Sequence, residues 1–85
     1  MSEQEQRARL RWRCRRGLRE LDLLLAPFAE RQLPRLAPDE LDVLDRLLTV
    51  ADQDLQSWFL GRERPSDDAL AELVSRIRHE ARACE

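Results

Sequence analysis

Nucleophilic, acid-base and metal chemistry each need particular side chains within reach of one another. The 85-residue sequence offers few candidates for any of them. Its single histidine, His79, stands among Arg78, Glu80 and Arg82 near the end of a helix-forming stretch, a setting that reads as solvated surface. Asp67-Asp68 and Asp52-Gln53-Asp54 resemble fragments of cation sites, but each falls where a helix should open, and capping accounts for them. No glycine-rich phosphate loop occurs. Cys14 and Cys84 are far apart in sequence and lack a CxxC spacing, which argues against a zinc site or a disulfide framework. The expectation is a protein that is not an enzyme, holds no metal and keeps no cofactor stably.

One segment resists a bland account: Arg15-Arg16-Gly17-Leu18-Arg19-Glu20-Leu21-Asp22. Gly in a helix costs about 1 kcal/mol relative to Ala, yet Gly17 is embedded among charged residues. Without a Cβ it lets another surface approach the backbone. If the segment is helical, Arg16 and Glu20 stand at i and i+4 on one face as a small polar clasp. Arg preceding Glu is the less favourable order for helix stabilisation, so the pair is poorly explained as an internal strut.

The elements that must position this segment are helical. Sixteen Leu and nine Ala against five β-branched residues favour helix over sheet. Residues Arg7 to Arg15 alternate charged and apolar side chains, a period-two pattern, but no second segment offers a strand to pair with, so helix is expected. That helix places Leu10 and Cys14 on one face and Trp12 nearly opposite. A second helix starts at Arg16 on Leu18, Leu21, Leu24 and Leu25, and Pro27 stops or restarts it. Pro27 to Leu33 then forms a short helix anchored by Phe28 and ended by Pro34.

Pro38, Asp39 and Glu40 open a third helix, running on Leu41, Leu44, Leu47 and Leu48 to about Val50. Asp52 caps a fourth, with Leu55, Trp58 and Phe59 on one stripe and Gly61 as its exit. Ser66 caps a fifth, carried by Leu70, Leu73, Val74 and Ile77. The prediction is an all-α, compact bundle of about five short helices forming one domain over residues 1–85, with 1–6 flexible and 81–85 frayed. Helices this short are marginal alone and must pack together.

Charge is unevenly spread. Residues 1–20 hold seven Arg and three Glu, whereas residues 37–60 hold six acids and one Arg. The two blocks either pair within the molecule or face a partner separately. A nucleic-acid role would use the arginines and Trp12, but the overall pI of 5.5 and the acidic middle oppose a polyanion. No stretch approaches a membrane span and the N-terminus lacks the apolar core of a secretion signal, so a cytoplasmic location without direct membrane insertion is expected.

Arg16-Gly17-Leu18-Arg19-Glu20 resembles the RGxxE signature of the SdhE-type assembly factors of succinate dehydrogenase. The likeness extends through Arg9-Leu10-x-Trp12-x-Cys14-Arg15, Leu21-Asp22, Pro27-Phe28, Asp52-x-Asp54-Leu55-x-x-Trp58 and Pro65, about residues 9 to 65. The resemblance implies a compact five-helix fold. It also implies a chaperone that binds the flavoprotein subunit of succinate dehydrogenase, often that of fumarate reductase too, and promotes covalent attachment of FAD to a histidine of that subunit.

On this reading FAD is the client's cofactor, the acceptor histidine is the client's, and His79 has no part in it. The partner-binding residues are then Arg16, Gly17 and Glu20, with Arg9, Trp12, Arg15 and Asp22 as flanking contacts. Gly17 admits the partner's backbone, Arg16 pairs with its carboxylate or carbonyl groups, and Glu20 accepts hydrogen bonds or orients Arg16. A different protein-interaction role, such as an antitoxin-like regulator, is the alternative, with nucleic-acid binding behind it.

Overall fold

The computed structural model describes residues 2–83, with only the backbone at 82 and 83. The expectations placed on Cys84 and Glu85 fall outside these residues. Among the described residues there are five α-helices, one 3-10 turn and no strand. This is the all-α bundle that leucine periodicity predicts.

Helix α1 (Glu3–Arg13) begins a full turn earlier than the sequence pattern indicates. Ser2 caps it by accepting from the Glu5 amide at 3.2 Å, acidic Glu3 and Glu5 occupy the first turn, and Arg11 and Arg13 the last. The alternating pattern is helical after all: Leu10 and Cys14, four apart, are buried together while Trp12 is 72% exposed.

Helix α2 (Arg19–Arg31) departs from expectation at both ends. It starts at Arg19 and not Arg16, because Gly17 has φ +79°, outside the right-handed helical region. It also runs straight through Pro27. The buried stripe Leu21, Leu25, Phe28 and Ala29 continues across the proline, so packing holds the helix together. Pro27 itself lies on the outer side, near exposed Leu23 and Glu30, where a carbonyl lacking its N–H partner can meet water. Pro34 then sits in the 3-10 turn Leu33–Arg35.

Helix α3 (Pro38–Leu48) buries Leu41, Leu44, Leu47 and Leu48. Glu40 reaches back to accept from the Ala37 amide at 2.9 Å and pairs with Arg76 of α5 at 2.5 Å, tying two elements at one carboxylate. Helix α4 (Asp52–Phe59) is flanked by Ala51 at the N-cap. Asp52 is therefore the first helical residue and not the cap, which leaves its carboxylate for another partner. Gly61 does supply the left-handed exit, at φ +78°.

Helix α5 (Asp68–Ala83) is capped by Asp67 and not by Ser66. The Asp67 carboxylate accepts from the Ala69 and Leu70 amides at 2.8 and 3.2 Å and also meets Arg46 of α3. A carboxylate interacts with the helix dipole more strongly than a hydroxyl, which favours Asp67 over its neighbour. α2 and α5 share the largest packing contact, α1 lies on α3, and α4 leans on both α2 and α5. Phe28, Leu25, Leu41, Leu44, Leu47, Leu55 and Ile77 have no exposed surface at the centre.

Candidate functional site

The connection between α1 and α2, residues 14 to 18, is fixed at several points. Cys14 is buried, and its amide closes onto the helix by donating to the Leu10 carbonyl at 3.0 Å. Burial pushes its thiol up to about 11 against the opposing charges of Arg13 and Arg16, so it is a neutral core group. Asp22, one turn into α2, accepts from the Arg16 amide at 2.9 Å and closes the loop from the other side.

Arg16 fixes the loop to the rest of the molecule. Its Nε donates to Asp52 Oδ1 at 2.7 Å, Nη1 to the Leu48 carbonyl at 2.7 Å and Nη2 to the Val50 carbonyl at 3.0 Å. The Leu48 carbonyl belongs to the last turn of α3, where it has no partner within the helix and the dipole favours a cation. One guanidinium thus holds the α3 to α4 junction and carries the loop with it. Its side chain retains only 17% exposure.

This revises the proposed clasp. Arg16 lies outside the helix, so Arg16 and Glu20 are not i and i+4 neighbours on one face, and the Arg16 side chain is engaged with Asp52 and the Leu48 carbonyl. Glu20, exposed in the first turn of α2, forms no ion pair among the described residues and does not orient Arg16. Gly17 is exposed, and a Cβ built on it meets nothing within 4 Å. Its positive φ gives the glycine a conformational reason as well, since L side chains rarely adopt that geometry.

The remaining predicted residues divide. Trp12 and Arg15 lie together along a groove bounded on the other side by Ala29, Leu33 and Pro34. Arg9 is exposed but lies elsewhere, by Gln6, Leu10, Arg13 and Asp45. Asp22 is half-buried and engaged with the loop backbone. Leu18, expected on the apolar stripe of the second helix, is instead its extended N-cap, 39% exposed beside Gly17; the pairing of Arg16 with Asp52 was not anticipated from the sequence. The Asp52-x-Asp54 motif was visible, but as a cap.

The charge blocks partly close on each other: Arg13 pairs with Asp45, and Arg16 with Asp52. Arg9, Arg11, Arg15 and Arg19 form no ion pair among the described residues. Among those residues no three potential metal ligands gather, and no helix is long and apolar enough to cross a membrane.

Fold and loop together define a small all-helical protein that displays an Arg-Gly turn clamped from within. The sequence model of one family, described as the flavinator of succinate dehydrogenase, matches residues 8–81. The chain belongs to this family, the SdhE-type FAD assembly factors. It is 44% identical over 66 residues to the FAD assembly factor SdhE of Idiomarina loihiensis, covering 78% of this chain and 73% of that one. To the protein of the same name in Legionella pneumophila strain Paris it is 43% identical over 77 residues, covering 91% and 96%. The Photorhabdus laumondii protein, again named FAD assembly factor SdhE, is 37% identical over 75 residues, covering 88% and 85%.

Proposed function

We propose that this protein is a chaperone of flavoprotein maturation. It binds the flavoprotein subunit of succinate dehydrogenase, and that of fumarate reductase where present, in the cytoplasm, and promotes covalent attachment of FAD. The observation that carries the reading is the Gly17 turn: exposed main chain with no neighbour in front of it, held in place by a largely buried guanidinium. The relatives' name, FAD assembly factor SdhE, supports it.

In this mechanism the client makes its own histidine-flavin bond, and the chaperone contributes positioning. Gly17 admits the client's backbone at close range, and Glu20 offers an unengaged carboxylate to the client's amides or cations. Arg16, Asp22 and Asp52 act behind them by fixing the turn before the partner arrives, which lowers the entropy lost on docking. The protein itself is not an enzyme on this view, and FAD remains the client's cofactor.

In-gel flavin fluorescence of the client tests the reading in a strain lacking the gene, complemented with wild type or Glu20→Ala. Wild type restores the fluorescent band and Glu20→Ala restores little of it. Equal bands with both proteins would remove Glu20 from the site, and a full band without either would refute the function.

A further inference from the structure

Trp12 is an exposed aromatic on a rigid helix, in a chain with only two Trp and two Phe. It lies in a groove of about 500 Å³ between α1 and the end of α2 with the 3-10 turn that follows, opposite Ala29, Leu33 and Pro34. Arg7 lines the same groove but is committed internally, to Glu3 at 2.5 Å and to the Leu36 carbonyl. It fixes the wall and brings little free charge.

Arg11 and Arg15 differ. Both line the groove beside Trp12, both are exposed, and neither forms an ion pair among the described residues. Arg7 and Arg11 are four apart on α1, and Arg15, just past the Cys14 cap, follows Trp12 by three and Arg11 by four, so the indole and the cations line one groove. An apolar trough with an aromatic wall and two unengaged guanidinium groups is a recognition surface for carboxylates flanking an apolar side chain. Arg15 also immediately precedes Arg16 and Gly17, so this trough leads along the chain to the exposed turn.

We infer that the Trp12 groove receives an acidic segment of the client flavoprotein, with an apolar side chain against the indole and carboxylates on Arg11 and Arg15. This rests on the function proposed above and adds a second contact to the Gly17 turn. Charge complementarity selects the occupant. Free cations in the groove call for anions, and a polypeptide supplies carboxylates together with the apolar group the trough would cover. A nucleic acid would bring a long polyanion against a chain whose net charge is already −2.

The test is calorimetric titration of the purified protein with the purified succinate dehydrogenase flavoprotein subunit, at low and high salt. Trp12→Ala and the double variant Arg11→Glu/Arg15→Glu are compared with wild type and with Glu20→Ala. Each groove variant should weaken binding about tenfold or more, and the double variant should flatten the salt dependence. Circular dichroism and urea midpoints should stay at wild-type values, because these side chains are exposed.

Wild-type binding by the groove variants alongside weakened binding by Glu20→Ala would overturn the groove and leave the proposed function standing. No binding by wild type would overturn both. Self-association lost on Trp12→Ala would assign the groove to a second copy, and displacement of the client by a single-stranded oligonucleotide would assign it to nucleic acid; either overturns the inference.

Discussion

Arg16 Nε and Asp52 Oδ1 are 2.7 Å apart across 36 residues of sequence, and this pair joins the exposed turn after α1 to the start of α4. The same guanidinium satisfies two main-chain carbonyls at the α3 to α4 junction. The arginine of the RGxxE signature is thus a positioning residue in this fold. What it positions is Gly17.

Arg16→Ala should therefore be costly to the fold, unlike Arg15→Ala. Hydrogen bonds to charged groups contribute about 1.5–3 kcal/mol, and Arg16 makes three of them from a side chain that keeps little exposure. Urea unfolding should show a loss of roughly 2–3 kcal/mol for Arg16→Ala. Arg15→Ala, exposed and without an ion pair, should stay within about 0.5 kcal/mol of wild type. Arg16→Lys should recover little, since an ammonium cannot reach the carboxylate and both carbonyls in one plane. Equal midpoints for the Arg16 and Arg15 variants would show that the clamp contributes nothing.

The thiol of Cys14 offers a second check. Its raised pKa, about 11 against the ordinary 9.0, means that the unfolded chain ionises first as pH rises. Below 9.0 the contribution of the buried neutral thiol is fully present, and it is lost as pH climbs toward 11. Stability measured by denaturant unfolding should fall across that window, and Cys14→Ser should flatten the fall. In a Cys84→Ser background, a thiol reagent should label Cys14 slowly in the native state and rapidly in denaturant. Rapid native labelling would place Cys14 outside the core.

At acid pH the sign reverses. The amide of Ala37, then Arg76, hold Glu40 below its ordinary 4.5; Arg46, then the Leu70 and Ala69 amides, hold Asp67 below 3.8. The unfolded chain then takes up protons before the folded one, so stability present above these ordinary values is lost as pH falls through the lowered folded ones. Glu40→Gln and Asp67→Asn should each lower stability at neutral pH, and the difference from wild type should shrink on acidification. A difference independent of pH would assign the effect to shape and not to charge.

Leucine spacing made most of this fold legible. Leu41, Leu44, Leu47 and Leu48, and Leu73, Val74 and Ile77, form the core they were expected to form. Boundaries were less legible where two local signals competed. Pro27 reads as a helix breaker, yet the apolar stripe from Leu21 to Ala29 crosses it, and burial prevails over the missing hydrogen bond. Ser66 and Asp67 both suit a cap; the stronger pull of the helix dipole on a carboxylate and the three-dimensional meeting with Arg46 together favour Asp67.

At the site, Gly17 stood out because a glycine among charges is costly in the helix then expected there. The inward aim of Arg16 did not, because two of its three acceptors are main-chain carbonyls, 32 and 34 residues away, which carry no side-chain signature. The clasp with Glu20 failed for a related reason: it assumed a continuous helix, and the positive φ of Gly17 interrupts it.

Gly17→Asn separates the two duties of that glycine. Asn tolerates a left-handed backbone better than other side chains do, so it should preserve the turn while placing atoms in the space in front of it. Gly17→Ala should cost about 1–2 kcal/mol through the backbone alone. The most direct measurement is the affinity of Gly17→Asn for the purified flavoprotein subunit, with its urea midpoint determined alongside. An affinity at least about tenfold weaker at a near-native midpoint is the predicted result. Wild-type affinity in a folded Gly17→Asn protein would contradict the claim that the client docks against bare main chain at this turn.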